Sequence, residues 1–292
     1  MADPPESSRV DPADPVDPAH PVDPVDPAGP EGLPAPTDAT APRGEQVRRP
    51  VIEKVRADQK VHIPEGHHRG EVMTFGQKVM YGLTYAVSTG LAKTYFRAQV
   101  WGRDNVPRTG PFIISPVHRS NLDSPILALI TRRRMRFMGK ESLWKRKWSA
   151  WYFTAAGGFP VERATADRNA LNACLEVLKR GEPLVLFPEG TRQSGPLLTD
   201  MFDGPAWLAC RAQCPILPIG IGGSEAAMAK GTKFPRPAKM TVVIGPPIQP
   251  PPPTDKGRTS RRAVRELSDE LKARLQELFD EAQVKAGTPN RP

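Results

Sequence analysis

Cysteine is scarce in this 292-residue sequence, and its scarcity excludes a disulfide framework. The three thiols are Cys174, Cys210 and Cys214. Cys210 and Cys214 stand one helical turn apart with no second ligand pair, which argues against a zinc site. All three read as reduced thiols of a cytosolic compartment. Long apolar runs are missing too. No stretch of about 18–20 apolar residues occurs, so no membrane-spanning helix is expected. The N-terminus is acidic and proline-rich rather than basic and then apolar, so no signal peptide is expected. Histidine is nearly absent: of the 5 residues, His20, His62, His67 and His68 precede the part that reads as folded. The connector histidines lack Cys or carboxylate partners at ligand spacing, so no metal is expected. His118 is then the single histidine of the folded part.

Acidic residues are in deficit as well. Lys+Arg 41 against Asp+Glu 32 gives a net charge of +9, which suits nucleic acid, an anionic membrane or a phosphorylated substrate without choosing among them. The first fifty residues take many of the 35 prolines and almost no large apolar side chain. Asp-Pro recurs every three residues at positions 11, 14, 17, 23 and 26, the period of polyproline II. Such a segment builds no core and reads as a disordered tail. Residues 1–70 are therefore taken as tail and polar connector, 71–99 as an amphipathic helical segment, 100–253 as an α/β domain, and 254–292 as a charged C-terminal helix and tail.

The domain is organised around Ser115-Pro-Val-His118-Arg-Ser-Asn-Leu-Asp123. An apolar run, Phe112-Ile-Ile, precedes it and reads as a buried strand. Pro125 to Ile130 follows as a helix with proline in its first turn. His118 is thus expected in a loop at the carboxyl end of a strand, where ligands bind in open α/β sheets. A carboxylate five residues on can fold back onto Nδ1, fix the tautomer and leave Nε2 as a base. No nucleophile motif accompanies the pair, so the arrangement suits direct deprotonation of a substrate hydroxyl. The alternative is a loop histidine beside a helix-capping aspartate.

Other segments add to this. Phe75, Val79, Leu83, Val87, Leu91 and Tyr95 repeat every four residues, one face of a helix that either lies in a membrane interface or packs on the core. From Arg132 to Trp151, cations alternate with tryptophans, a pattern of membrane interfaces and of single-stranded nucleic-acid binders. No nucleic-acid motif accompanies it, and no nucleic-acid partner is expected. Leu184-Val-Leu-Phe187 reads as a strand running into Pro188-Glu-Gly-Thr-Arg192. There Glu189 and Arg192 either orient a hydroxylated, phosphorylated ligand or form a salt-bridged turn. Pro218, inside the strand Pro215–Gly223, argues for an edge or a bulge. Residues 261–286 read as a charged helix with one leucine side, packed as a lid or flank.

Four blocks now stand in order: His118-Arg-Ser-Asn-Leu-Asp123, Gly158-Phe-Pro-Val-Glu-Arg163, Phe187-Pro-Glu-Gly-Thr-Arg192 and Ile216-Leu-Pro-Ile-Gly220. Together they resemble the glycerolipid acyltransferases, most closely the 1-acylglycerol-3-phosphate acyltransferases, over roughly residues 72–250. The resemblance implies a mixed central sheet flanked by helices, with an N-terminal amphipathic, membrane-associating element. It implies His118 as general base and Asp123 as its orienting partner. It casts Arg163, Glu189, Gly190, Thr191 and Arg192 as the acceptor site, Lys140 as a phosphate contact, and Pro218 on the acyl-donor side. The implied substrates are lysophosphatidate and an acyl thioester, on coenzyme A or acyl carrier protein, with no further cofactor. The alternatives are another acceptor (glycerol 3-phosphate, another lysophospholipid or a glycolipid) or a catalytically idle membrane-binding protein of the same fold. The expected location is the cytoplasmic face of the cell membrane, on an anionic surface, with the N-terminal tail free to meet a protein partner. Val117 and Gln193 depart from the small polar residue and the serine common at those positions, which touches acceptor preference more than proton transfer.

Overall fold

A computed structural model describes residues 73–161, 168–253 and 259–290. The Pro/Asp-rich tail, the connector histidines and Arg163 lie outside the described residues. Seven strands form one sheet: β1 (Gln99–Trp101), β2 (Ile113–Pro116), β3 (Arg136–Lys140), β4 (Gly158–Val161), β5 (Leu184–Val185), β6 (Ile216–Gly222) and β7 (Thr241–Ile244). Their order is β1-β7-β6-β2-β5-β3-β4. The five strands from β6 to β4 are parallel, β7 is antiparallel to β6, and β1 follows β7. The sheet is therefore mixed and flanked by helices. Phe112, Ile113 and Ile114 are fully buried, because a central parallel strand is covered on both faces and tolerates no polar alternation.

The helices are α1 (Phe75–Thr94), α2 (Asp123–Ile126), α3 (Lys147–Ala155), α4 (Arg168–Lys179), α5 (Gly204–Ala212), α6 (Ser224–Ala227) and α7 (Arg261–Ala286). The connections β2–α2–β3 and β3–α3–β4 step toward the β4 edge. Those through α4 and α5 step back. Right-handed crossovers put the first pair on one face of the sheet and the second on the other. The packing agrees: α1 rests on α2 and α3, whereas α5 rests on α4 and α7. The chain thus leaves the neighbouring strands β2 and β5 toward opposite faces. The crevice between their carboxyl ends is the switch point where such sheets bind ligands.

The charged C-terminal helix is not a lid. In α7, Leu267, Leu271, Leu275 and Phe279 belong to the same core as the sheet. Ser260 caps its start and Gly287 ends it in a left-handed conformation. The helix lies directly on β6: a Cβ at Gly220 or Gly222 would stand 2.1 Å from the carbonyl oxygen of Leu278 or Ala282. Glycine is required there for close approach. β6 is also not an edge strand, since it pairs with both β2 and β7. The bulge is what is found. β6 pairs Ile219 with Ile244 and then Ile216 with Ile248, so two residues of β6 face three of the other chain segment. Pro218 lies in that irregular stretch, where its carbonyl accepts from Gly245 at 3.0 Å and no donor is required of it.

In α1 the sequence stripe faces outward. Phe75, Val79, Leu83, Val87, Leu91 and Tyr95 are all exposed. Met80, Tyr81, Thr84, Tyr85, Ser88 and Ala92 form the side turned to the domain. A Thr74–Gln77 capping box starts the helix. The arginine run after α2 serves the scaffold: Arg133 donates to the carbonyls of Pro107, Gly110 and Gly181, and Arg134 to that of Thr154. Burial pulls the Arg136 guanidinium down to about 10, with Arg134 nearby adding to the effect. The three cysteines are free and buried, and burial pushes the Cys174 and Cys214 thiols up to about 12.

Candidate active site

β2 delivers its chain to the switch point as Val117-His118-Arg119-Ser120. Asp123 opens α2 and folds back over the turn it closes. Its Oδ2 accepts the backbone N–H groups of Arg119 at 2.7 Å and Ser120 at 2.6 Å. The same oxygen lies 3.1 Å from Nδ1 of His118. A carboxylate oxygen can only accept, so the network assigns the proton to Nδ1 and leaves the lone pair on Nε2. The imidazole stacks on Phe187, with 4.0 Å between ring centroids. The histidine side chain keeps 17% exposure while Asp123 has none, so the base opens to one side and its partner is sealed. Ser120 is not a nucleophile in waiting. Its hydroxyl donates to the Met228 carbonyl at 2.8 Å and accepts from the Leu122 N–H.

The second loop, from β5, holds the first in place. Glu189 is buried. Its Oε2 accepts the backbone N–H of His118 at 2.6 Å, and its Oε1 accepts from Nη1 of Arg119. Both oxygens of the carboxylate that the family resemblance casts in the acceptor site are thus engaged by the His118 turn; its ion-pair partner is Arg119 and not Arg192, so a salt bridge within the Pro188–Arg192 turn is not the arrangement found. Arg119 is itself buried. It donates further to the Leu197 carbonyl at 3.2 Å, and its guanidinium lies 4.9 Å from the Phe279 ring centroid on α7. Gln193 N–H closes the contact by donating to the His118 carbonyl at 2.9 Å. Sequence reading passed over Arg119, although a lone cation inside His-x-x-x-x-Asp is the natural counterion for a buried glutamate elsewhere.

The remaining residues separate by position. Gly190 adopts φ +68°, and a Cβ there would stand 2.5 Å from the Phe202 ring, so the turn after Glu189 needs glycine. Thr191 is exposed and accepts from the Gln193 side chain at 3.2 Å. Arg192 is half-buried and Lys140 exposed, and among the described residues neither makes an ion pair. Lys140 ends β3, parallel to β5, so it leaves from the same edge of the sheet as His118 and Arg192. Pro218 is not brought to this edge; it is buried within β6 beside Ser115. Arg163 follows β4 by two residues and lies outside the described residues. Among the described residues no group of His, Cys, Asp and Glu is arranged to hold a metal ion.

Residues 97–222 match the acyltransferase family model. The 1-acyl-sn-glycerol-3-phosphate acyltransferase of Bacillus subtilis is 26% identical over 151 residues, which are 51% of this chain and 73% of that one. The alpha form of the same enzyme in Mus musculus is 27% identical over 158 residues, 52% of this chain and 55% of its own length. A Chlamydomonas reinhardtii protein of that name is matched over 48% of its length, so the similarity spans about half of the mouse and Chlamydomonas proteins and 73% of the Bacillus one. Among solved structures, the 1-acyl-sn-glycerophosphate (LPA) acyltransferase PlsC of Thermotoga maritima superposes with a TM-score of 0.57. It is 26% identical, with 69% of this chain and 80% of that chain covered.

Proposed function

We propose, from the match of residues 97–222 to the acyltransferase family model, that this chain is an acyltransferase that transfers an acyl group from a thioester to the free hydroxyl of lysophosphatidate, giving phosphatidate. The observation that carries this reading is the His118–Asp123 pair, with Nε2 open, no nucleophile beside it and Nδ1 tied to a sealed carboxylate. Such a pair is suited to take a proton from a hydroxyl that itself attacks. Nε2 of His118 accepts the proton of the acceptor hydroxyl as its oxygen adds to the thioester carbonyl. Asp123 stabilises the imidazolium that forms. When the tetrahedral adduct collapses, the carbon–sulfur bond breaks, the thiolate leaves, and the imidazolium returns the proton. The thiol carrier is coenzyme A or acyl carrier protein.

The acceptor assignment draws on charge and on the relatives. Among the described residues Arg192 and Lys140 make no ion pair, and at the carboxyl edge they are suited to a phosphate near the reacting hydroxyl. Proteins named for this acceptor recur among the relatives. Membrane association is part of the proposal, on the cytoplasmic face of the cell membrane. Among the described residues no helix is long and apolar enough to cross a membrane. The outward apolar stripe of α1 is suited to lie in the interface and meet a lysolipid there. The test is product identification: the protein, oleoyl-coenzyme A and an equimolar mixture of lysophosphatidate, other lysophospholipids and glycerol 3-phosphate, read by mass spectrometry. Phosphatidate is the expected product. Acylation of another acceptor in preference to lysophosphatidate overturns the acceptor assignment.

A further inference from the structure

Between α6 and β7 the chain runs Lys230-Gly-Thr-Lys-Phe-Pro-Arg-Pro237, and every one of these residues is exposed. The segment carries three cations and no acid, and Phe234 at its tip is 82% exposed. A single exposed apolar residue is ordinary; this one stands beside a larger apolar surface. Tyr95, the last residue of the outward stripe of α1, donates its hydroxyl to the Pro235 carbonyl at 3.2 Å. The loop is also built rather than loose. Arg236 N–H donates to the Ala227 carbonyl at 2.7 Å, and Thr232 closes a turn onto Ala229 through both its N–H and its hydroxyl.

The other end of α1 has a matching flank. A Cβ added at Gly76 would stand 3.8 Å from the Trp151 ring. Trp148 and Trp151 are exposed on α3, just after Lys145, Arg146 and Lys147. The apolar stripe of the 20-residue helix thus has a basic, aromatic cluster at each end, about 30 Å apart.

We propose that the Lys230–Arg236 loop is a second membrane anchor for an anionic bilayer. Phe234 enters between the head groups, and Lys230, Lys233 and Arg236 take their phosphates, so that α1 lies flat along the surface instead of entering by one end. This rests on the reading of α1 as an interfacial helix. Aromatic rings with flanking cations are the residues that hold at a bilayer interface, and the loop continues the only long exposed apolar stripe among the described helices. Its base also touches the catalytic turn, because the Met228 carbonyl accepts from Ser120. Docking of the loop therefore seats the His118 turn at the surface that supplies a lysolipid.

The test is co-sedimentation of the full chain with phosphatidylcholine vesicles, and with vesicles that also contain phosphatidylglycerol. The variants are Phe234→Ala and the triple change K230Q/K233Q/R236Q, each with its Tm checked. Each cation near an anionic surface strengthens binding roughly fivefold. The triple variant is therefore expected to lose roughly 100-fold on the mixed vesicles and little on the neutral ones. Phe234→Ala is expected to lose roughly tenfold on both. Turnover in detergent micelles stays at the wild-type level in both variants. Wild-type binding matched by both variants overturns the second anchor and leaves the α1 reading intact. Failure of the wild-type protein to bind either vesicle overturns the α1 reading and this one with it.

Discussion

Glu189→Gln separates two roles for one carboxylate. In the structure both oxygens face the catalytic turn, Oε2 on the His118 N–H and Oε1 on the buried Arg119. The substitution keeps the shape and removes the charge, leaving a guanidinium buried without its counterion. Breaking a buried pair in this way costs about 3–5 kcal/mol, a large share of the roughly 5–15 kcal/mol that holds a domain folded. For a domain of this size the expected fall in Tm is about 6–20 °C, and the variant remains folded at room temperature. The turn that carries His118 loses its fixed position. A misplacement of about 1 Å lowers turnover by on the order of 100-fold. The acceptor KM stays where it was, because no acceptor contact is lost. Adding Arg119→Met removes the stranded charge and recovers part of both Tm and kcat. Thermal denaturation and initial rates against acceptor concentration read all of this. A raised acceptor KM with an unchanged Tm would refute the positioning role and return Glu189 to the substrate.

Asp123→Asn puts an amide where two backbone N–H groups and an imidazole N–H converge. kcat is expected to fall by about 10³–10⁴-fold, and a loss under tenfold in steady-state rates would contradict its role. Arg192→Ala, by contrast, is expected to raise the acceptor KM with little change in kcat, and a shorter acceptor lacking the phosphate should not feel the substitution. Gly220→Ala forces a methyl against the Leu278 carbonyl, which is backbone and cannot yield, so α7 must shift; a loss of about 1–3 kcal/mol is expected in denaturant titration. The Cys174 and Cys214 thiols, pushed up to about 12 by burial, hold no thiolate at pH 8. Native protein should therefore react slowly with Ellman's reagent and unfolded protein at once.

The central strands were legible because a parallel sheet writes itself as short continuous apolar runs, as at Phe112–Ile114 and Leu184–Leu186; the edge strand β1, Gln99–Trp101, was missed because its three residues carry no such run. The turn between β2 and α2 was legible for a local reason: His118 and Asp123 meet through five residues of chain. What escaped was non-local. Arg119 and Glu189 are 70 positions apart, and nothing in either neighbourhood names the other. The leucine side of α7 was legible, but the choice between lid and flank was not, because the decisive residues, Gly220 and Gly222, lie on the strand it covers. Pro218 suggested an edge or a bulge, and the bulge is the one formed; the choice rests on Ile248, 30 residues further along the chain, which returns to pair with Ile216. The stripe of α1 was visible as a period, but its direction depends on which face the domain offers, and the face of Met80, Tyr81, Thr84, Tyr85, Ser88 and Ala92 is the one that packs.

The central claim is that His118 takes the proton of an acceptor hydroxyl. The most direct test is the initial rate of thiol release from oleoyl-coenzyme A in detergent, with and without lysophosphatidate, for the wild-type chain and His118→Ala at matched folding by circular dichroism. The account predicts release that requires both the acceptor and His118. Full release from folded His118→Ala, or none from the wild-type chain with any lyso-acceptor, would contradict it.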